Sequence, residues 1–274
     1  MREAPAQGII AGTMLLALDI GNTNVTVGVF QGEQLRATWR LSSDPHRMAD
    51  EYAVLLMNLL PRSGVELSAI SDVALCSSVP QLVLTFEELS QRYFGIKPLV
   101  VGTGIKTGVR VLYDDPRAVG ADRVTDAVAA FRTYGGPVII VDCGTATVLD
   151  AVTREGEYLG GAIAPGIEVA VDALVSHTSM LRRIELVRPK HAIGRNTVNS
   201  MQSGIIYGYI GLIEGLIARF KQELDGEAKV VATGGLAGII AGASEAIDFV
   251  DPNLTLQGLR FVYEMNSDRG TPAP

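Results

Sequence analysis

Two apolar segments, far apart in the sequence, end in the same short motif. The first, residues 15–20, runs into Asp19-Ile20-Gly21, and the second, residues 138–143, runs into Asp142-Cys143-Gly144. In both, hydroxyl or amide residues follow the glycine and a second β-rich run begins directly afterwards. A single Asp-x-Gly motif after a strand is common as a plain hairpin turn. Two of them, each opening a similarly patterned half, indicate an internal duplication and favour two related α/β halves.

The spacing of apolar residues supports this duplication. Three β-rich runs separated by turn residues open the first half, which predicts an antiparallel meander, and helical segments then alternate with strands. The second half opens with the same meander, so we predict an α/β protein with a duplicated β-β-β-α-β-α core. The predicted strands are residues 15–19, 25–30, 35–41, 72–78, 98–101, 138–142, 148–153 and 157–163, and the predicted helices are residues 48–60, 81–94, 122–134 and 197–224.

The amino-acid composition argues against nucleic acids and membranes as binding partners. The chain has 274 residues, 47% of them hydrophobic, and a net charge of −7 without a run of basic residues. An acidic chain of this kind is a poor candidate for nucleic-acid binding. The two cysteines form no CxxC pair, which favours a reducing, cytoplasmic environment. The apolar stretch at residues 205–218 contains Glu214, and we expect no membrane segment there.

The repeated motif suits phosphate binding. Glycine removes the Cβ that would block a ligand, and exposed backbone N–H groups can form an anion-binding concavity. An aspartate at the strand end can hold the metal ion that accompanies a nucleotide. A P-loop motif is absent from the sequence, and residues 102–108 miss the dinucleotide fingerprint by one position. The run Thr233-Gly234-Gly235, at the end of another predicted strand, is either a nucleoside platform or a tight strand-to-helix turn.

Together these features resemble the actin-like ATPase superfamily of sugar kinases, acetate kinases and chaperone ATPases. Within it, a series of motifs that spans nearly the whole chain is similar to the signature of the type III pantothenate kinases. The resemblance implies two actin-like (ribonuclease H-like) domains and transfer of a phosphoryl group from ATP to pantothenate, the first step of coenzyme A synthesis. The motifs are Asp19-Ile20-Gly21-Asn22-Thr23, Gly120-Ala121-Asp122-Arg123, Asp142-Cys143-Gly144-Thr145-Ala146-Thr147, Gly160-Gly161-Ala162-Ile163-Ala164-Pro165-Gly166 and Gly194-Arg195-Asn196-Thr197.

The resemblance implies that Asp122 is the base that accepts the proton of the pantothenate hydroxyl. The alternative is a helix cap, because Asp122 precedes a predicted helix and aspartate is a favoured cap residue. Arg123 suits the pantothenate carboxylate, since a planar guanidinium can donate two parallel hydrogen bonds. A surface arginine is the alternative there.

The remaining implied site residues fall into three groups. Asp142 would coordinate a monovalent cation, K⁺ or NH₄⁺, and Asp19 would hold the Mg²⁺ that arrives with ATP. The ATP-binding residues would be Asp19, Ile20, Gly21, Asn22, Thr23, Asn24, Val25, Thr26, Thr145, Gly234 and Gly235. The substrate-binding residues would be Tyr113, Gly120, Ala121, Asp122, Arg123, Gly161 and Thr197.

We expect the first domain at residues 14–128 and the second at 129–266, with disordered segments at 1–13 and 267–274. Gly204, Gly208, Gly211 and Gly215 recur on one face of the predicted helix at 197–224. Such a face indicates close helix packing, within the subunit or across the two-fold axis of a homodimer, and we expect the homodimer. Two other functions stay open: another small-molecule kinase of the superfamily, and a non-catalytic regulator similar to the Bvg accessory factor.

Overall fold

A computed structural model describes residues 13–267. The expectations for residues 1–12 and 268–274 lie outside the described residues. The chain divides into two compact units. The first contains the residues up to Ile105 and those from Val262 onward, and the second is the continuous stretch Lys106–Phe261. This division differs from the boundary expected at residue 128, which lies inside the helix Ala121–Tyr134.

The first unit contains a five-stranded sheet in the order β3-β2-β1-β4-β5. The first three strands form the expected antiparallel meander, and β4 and β5 continue the sheet parallel to β1. A one-turn 3₁₀ helix at Leu67–Ala69 precedes β4, and a π-helical turn at Ser90–Phe94 extends α2. The elements are β1 (Met14–Ile20), β2 (Asn24–Gln31), β3 (Gln34–Ser42), α1 (Ala49–Arg62), β4 (Ile70–Ser77), α2 (Pro80–Leu89) and β5 (Leu99–Val100).

One apolar core of this unit lies between its sheet and helices α1 and α2. Alternate residues of β1, Leu16, Leu18 and Ile20, are fully buried and pack with the apolar faces of α1 and α2. Because successive side chains of a strand point to opposite faces, Asp19 lies on the other face. The alternation therefore places one carboxylate at the end of a strand whose neighbours hold it rigidly.

The second unit contains a six-stranded sheet in the order β11-β10-β7-β8-β9-β6. Strands β9-β8-β7-β10-β11 repeat the order and directions of β3-β2-β1-β4-β5, which confirms the duplication. A 3₁₀ turn at Pro116–Ala118 lies between β6 and α3. The elements are β6 (Arg110–Val111), α3 (Ala121–Tyr134), β7 (Val138–Cys143), β8 (Ala146–Val152), β9 (Glu157–Pro165), α4 (Ile167–Ser176), α5 (Thr197–Glu223), β10 (Lys229–Thr233), α6 (Ala237–Ala241) and β11 (Phe249–Val250). The last helix, α7 (Leu254–Asn266), begins in the second unit and ends in the first.

The two faces of this sheet pack against different helices. Ile139, Val141 and Leu149 pack with the buried side chains of α4, α5 and α6 in an apolar core. Asp142 and Asp150 alternate with these residues and lie on the other face, where α3 packs against β7 and β8. Two carboxylates of the second unit therefore lie on the face of its sheet that α3 covers.

Helix α5 is longer than the apolar stretch that the sequence singled out. The apolar stretch at residues 205–218 would be too short to span a bilayer by itself, but the helix has 27 residues and by length and composition alone could cross a membrane. Its buried isoleucines nevertheless pack in the core of the second unit. A Cβ added at Gly204, Gly208 or Gly211 would meet no atom of the described chain within 4 Å. These glycines therefore do not serve close packing inside the subunit.

Candidate active site

The first Asp-x-Gly motif forms the turn between β1 and β2. The backbone N–H of Gly21 donates to the carbonyl of Asn24 at 2.9 Å, and the tip residues Asn22 and Thr23 are exposed. The side-chain amide of Asn22 donates to the Ser78 hydroxyl at 3.4 Å. The turn is thus fastened at its base, and its tip is accessible to a ligand.

The ATP-binding stretch expected at residues 19–26 is divided by burial. Ile20 and Val25 are fully buried in the core of the first unit, so only their backbone groups could contact a phosphate. Asp19 is half-buried, and the Cys76 thiol of β4 donates to its Oδ1 at 3.6 Å. Cys76 lies opposite Asp19 in the parallel register. Sequence analysis missed this contact, because a lone cysteine in a strand carries no signal for it.

The second Asp-x-Gly motif forms a shorter turn between β7 and β8. The Gly144 N–H donates to the carbonyl of Ala146 at 3.0 Å. The chain after β9 packs onto this turn: a Cβ on Gly166 would lie 2.3 Å from the carbonyl oxygen of Thr145. The Tyr209 hydroxyl of α5 donates to the carbonyl of Pro165 at 2.8 Å and holds this segment in place. Thr145 itself is exposed at the tip.

The Thr-Gly-Gly turn lies directly beside Asp142. Gly234 has φ +89°, and a Cβ there would lie 2.5 Å from Asp142 Oδ1. The next residues begin α6 and border a cavity of about 260 Å³. Leu236 and Ile239 form one wall of this cavity, and the charged side chains of Glu168 and Arg183 also line it. The turn thus brings the backbone of Gly234 next to the second Asp-x-Gly motif.

The N-terminus of α3 carries Asp122. The helix is capped by Gly120, so the interpretation of Asp122 as the cap residue was wrong. Asp122 lies in the first turn, and its Oδ1 accepts the backbone N–H of Arg123 at 2.8 Å. A Cβ on Gly120 would lie 2.5 Å from this oxygen. Ala121 is the first helical residue, and its backbone carbonyl accepts a hydrogen bond from the hydroxyl of Thr125. Glycine at the cap position therefore leaves room for the carboxylate to turn back over the helix end.

Arg123 is held in a buried ion pair, so its interpretation as a surface arginine was wrong. Its Nε donates to Oδ2 of Asp150 at 3.1 Å and its Nη2 donates to Oδ1 at 2.5 Å. The hydroxyl of Tyr158 donates to the same Oδ1 at 2.8 Å. Sequence analysis missed Asp150 and Tyr158. The alternation along β8 could have placed Asp150 on the face of Asp142, but it gives no sign of a partner.

Two glycines of β9 and one tyrosine form the surroundings of this pair. Gly160 has φ +115°, and the Tyr113 ring lies where its Cβ would be, at 2.9 Å. A Cβ on Gly161 would lie 1.7 Å from the carbonyl oxygen of Leu149 and 2.6 Å from Asp150 Oδ1. Side chains at positions 160 and 161 would therefore clash with Tyr113 and with the neighbouring strand, and glycine avoids both clashes.

Burial and like charge act on the carboxylates of this group. Burial, followed by the charges of Asp122 and Asp150, raises the pKa of Asp142 to about 7. Burial also raises the pKa of Asp150, against the lowering effect of Arg123 and Tyr158. Burial and the charge of Asp150 raise the pKa of Tyr158, which keeps its hydroxyl protonated as a donor. Of these three carboxylates, only Asp150 forms an ion pair with Arg123.

This charge balance fits a small cation. No arginine, lysine or histidine within residues 13–267 forms an ion pair with Asp142. Over the same range, no group of three His, Cys, Asp or Glu side chains has the arrangement of a metal site. One monovalent ion would balance the single charge of Asp142 when this carboxyl is ionised.

The structure brings most of the expected substrate residues together, with one exception. Tyr113, Gly120, Ala121, Asp122, Arg123 and Gly161 lie on the α3 face of the second-unit sheet or next to it. Thr197 is the first residue of α5, which packs on the opposite face and is capped by Asn196. Within one subunit, Thr197 is therefore separated from Asp122 by the sheet.

Solved structures of other proteins share this fold. A Baf family protein from Campylobacter jejuni superposes with a TM-score of 0.58 at 20% identity, covering 92% of this chain and 98% of that one. The (R)-2-hydroxyglutaryl-CoA dehydratase component A of Acidaminococcus fermentans superposes with a TM-score of 0.54 at 12% identity, covering 92% and 96%. At these identities the likeness shows the fold alone: two actin-like α/β halves, as expected.

Sequence comparisons identify the family. The type III pantothenate kinase from Dehalococcoides mccartyi strain CBDB1 is 54% identical over 92% of this chain and 96% of its own. The type III pantothenate kinase of Moorella thermoacetica is 52% identical over 93% of this chain and all of its own. The family profile described as type III pantothenate kinase matches residues 15–219. The chain belongs to the type III pantothenate kinase family.

Proposed function

We propose that this protein transfers the γ-phosphoryl group of ATP to the hydroxyl of pantothenate, giving 4'-phosphopantothenate, the first step of coenzyme A biosynthesis. The observation that carries the proposal is the side-by-side placement of Asp122 and the clamped Arg123 at the N-terminus of α3. A carboxylate that can accept a proton and a guanidinium that can bind a carboxylate are the two groups that a hydroxy acid requires. The family relationship supplies the identity of that acid.

Asp122 acts as the base in this proposal. Phosphoryl transfer leaves the protein mainly positioning and charge stabilisation, with one carboxylate to accept or orient the attacking hydroxyl. Oδ1 of Asp122 accepts the backbone N–H of Arg123, and the carboxylate retains a second oxygen for the pantothenate hydroxyl. Arg123 binds the pantothenate carboxylate, while Tyr113, Gly120, Ala121 and Gly161 form the walls around the substrate.

Each Asp-x-Gly turn, taken by itself, offers backbone groups and hydroxyls to the phosphates of ATP. Residues 19–26 supply backbone N–H groups and the side chains of Asn22, Thr23, Asn24 and Thr26, and Thr145 supplies a hydroxyl. The nucleoside lies over Gly234 and Gly235, where the neighbouring cavity of about 260 Å³ offers the apolar wall of Leu236 and Ile239. Mg²⁺ enters with the nucleotide, and Asp19 is the residue that would hold it.

The cation at Asp142 is K⁺ or NH₄⁺. Its support is the raised pKa of this buried carboxylate and the absence of a lysine from both turns. When bound, the ion supplies positive charge close to the nucleotide phosphates. The protein acts in the cytoplasm as a homodimer, in which the exposed glycines of α5 allow two helices to approach closely.

Two alternatives remain distinguishable. Another small-molecule kinase of the superfamily would keep both phosphate turns but would lack the Gly-Ala-Asp-Arg and Gly-Gly-x-Ile-x-Pro-Gly motifs, which are present here. A non-catalytic regulator similar to the Bvg accessory factor has no need for Asp122 or Asp142, and this chain has both.

The test is a direct assay of the product. The purified protein, ATP, Mg²⁺ and pantothenate are combined in a potassium buffer, and phosphopantothenate is measured by mass spectrometry. Product formation that requires every component supports the proposal. Phosphorylation of other small hydroxy compounds but not pantothenate would favour the first alternative, and the absence of any transfer would favour the second.

A further inference from the structure

Asp150 is a buried charge for which the proposed reaction, as stated above, has no role. It lies in β8 with 3% of its surface exposed. Burying an ion pair costs solvation energy, and apolar residues of the same volume often stabilise a protein as well. Stability alone is therefore a weak reason for an aspartate at this position, and its contacts indicate another.

The contacts fix the direction of one side chain. Asp150 accepts from Nε and Nη2 of Arg123 in the two-point geometry that holds a guanidinium in one plane. Tyr158 donates to Asp150 from the neighbouring strand, so the carboxylate cannot turn away from its partner. The guanidinium carbon also lies 5.8 Å from the centre of the Tyr158 ring. Arg123 is thus restrained at its edge and along its face.

A guanidinium clamped in this way still has donors to offer. It carries five N–H groups, and the contacts to Asp150 occupy Nε and one N–H of Nη2. The remaining N–H groups belong to Nη1 and to the second position of Nη2. Tyr113 also shares a side-chain hydrogen bond with the guanidinium, and the N–H groups that Asp150 and Tyr113 leave can face a planar acceptor. A restrained donor edge loses less rotational freedom when a ligand binds than a free arginine does.

The main chain of Arg123 ties this edge to the base. Its backbone N–H donates to Asp122, and its guanidinium donates to Asp150. The spacing between the base and the remaining donors of the guanidinium is therefore set through one residue that is fixed at both ends. We propose that Asp150 is a positioning residue for substrate binding: it orients Arg123 toward the carboxylate of the acid that Asp122 deprotonates at its hydroxyl. This inference rests on the proposed function.

The alternative is that the ion pair only stabilises the fold. A purely structural role would weaken all ligands alike, whereas a positioning role affects ligands that carry a carboxylate. Pantothenol, in which an alcohol replaces the carboxylate of pantothenate, separates the two. The test measures the dissociation constants of pantothenate and pantothenol by calorimetry for the wild-type protein and for Asp150→Asn, which keeps the size of the side chain and removes its charge.

We expect Asp150→Asn to weaken pantothenate binding by about tenfold or more while pantothenol binding changes by less than about twofold. Glu157→Gln is the matched control, because it removes the exposed ion pair with Arg110 from the adjacent strand, and both ligands should bind to it as to the wild type. Equal weakening of the two ligands by Asp150→Asn would overturn the inference.

A second variant covers the case in which Asp150→Asn does not fold. Tyr158→Phe removes only the hydroxyl that restrains Asp150, and it should weaken pantothenate binding in the same selective way but by less. Unchanged pantothenate binding in a folded Tyr158→Phe protein would count against the restraint. If the wild-type protein binds no pantothenate at all, the proposed function fails. If the wild-type protein binds pantothenate but the variants weaken pantothenate and pantothenol binding equally, only the role of Asp150 is contradicted.

Discussion

Among single residues, Asp122 has the most direct test. If it accepts the hydroxyl proton, Asp122→Asn should lower kcat by about 100-fold or more, because a general base contributes in this range. The affinity for ATP should change little, since the variant keeps the shape of the side chain. Steady-state kinetics and a nucleotide-binding titration measure the two quantities. The control is Asp114→Asn, the same substitution at an exposed aspartate eight residues earlier in the chain, and its kcat should equal that of the wild type. Full turnover in a folded Asp122→Asn protein would show that Asp122 is not the base.

The pKa of Asp142 predicts a linked effect of pH and cation on stability. The carboxyl has an ordinary value of 3.8 and a folded value of about 7, so the folded protein holds this proton more tightly than the unfolded chain. Its contribution makes the free energy of unfolding fall as the pH rises from about 4 to about 7. A bound K⁺ would stabilise the ionised form and offset that loss.

Thermal unfolding should therefore respond to K⁺ at high pH only. At equal ionic strength, replacing tetramethylammonium chloride with KCl should raise the Tm at pH 8 and leave it nearly unchanged at pH 5. Asp142→Asn should abolish the difference between the salts. A shift of equal size at both pH values, or one that persists in the variant, would contradict a cation at this carboxylate.

How much of the site the sequence reveals depends on the kind of residue. Asp122 and Arg123 can be predicted because they belong to a contiguous motif. Asp150 and Tyr158 cannot, because their partner lies on α3 and only the packing of that helix on the sheet brings the three together. The contact of Cys76 with Asp19 depends in the same way on the register of two parallel strands.

At the scale of elements, the pairing of β8 with β9 depends on Gly161. A Cβ there would lie 1.7 Å from the carbonyl oxygen of Leu149, which is backbone and cannot move without separating the strands. Gly161→Ala should therefore lower the free energy of unfolding by about 3 kcal/mol or more, in the range of severe packing defects. Gly102→Ala, where an added Cβ meets nothing within 4 Å, is the control. Urea denaturation measures the free energy of unfolding of both variants. If Gly161→Ala is as stable as Gly102→Ala, the predicted clash is contradicted.

The elements themselves were largely predictable, and their ends were not. The alternation of apolar residues identified both meanders and the helices that follow them. It placed the start of α3 one residue late, because Gly120 rather than Asp122 takes the cap position. The match between the two turns also hid a difference: Gly21, Asn22 and Thr23 separate β1 from β2, whereas only Gly144 and Thr145 separate β7 from β8.

For the whole molecule, the prediction is a homodimer that uses the glycine face of α5. Light scattering at micromolar concentration should give twice the chain mass of 29.1 kDa. Gly208→Leu and Gly211→Leu should give folded monomers, because an added Cβ at either position would meet no atom within 4 Å apart from the backbone of its own helix. Gln222→Leu, exposed near the end of the same helix, should remain dimeric. A wild-type mass of one chain would contradict the dimer, and dimeric leucine variants would place its interface elsewhere.

The division into units has a practical consequence for dissecting the protein. The chain passes from the first unit to the second at Ile105 and returns at Val262, within α7. No single continuous fragment therefore reproduces the first unit, and a gene truncated after Ile105 omits its C-terminal share. Lys106–Phe261 is continuous, so it is the natural insert for transfer into another scaffold.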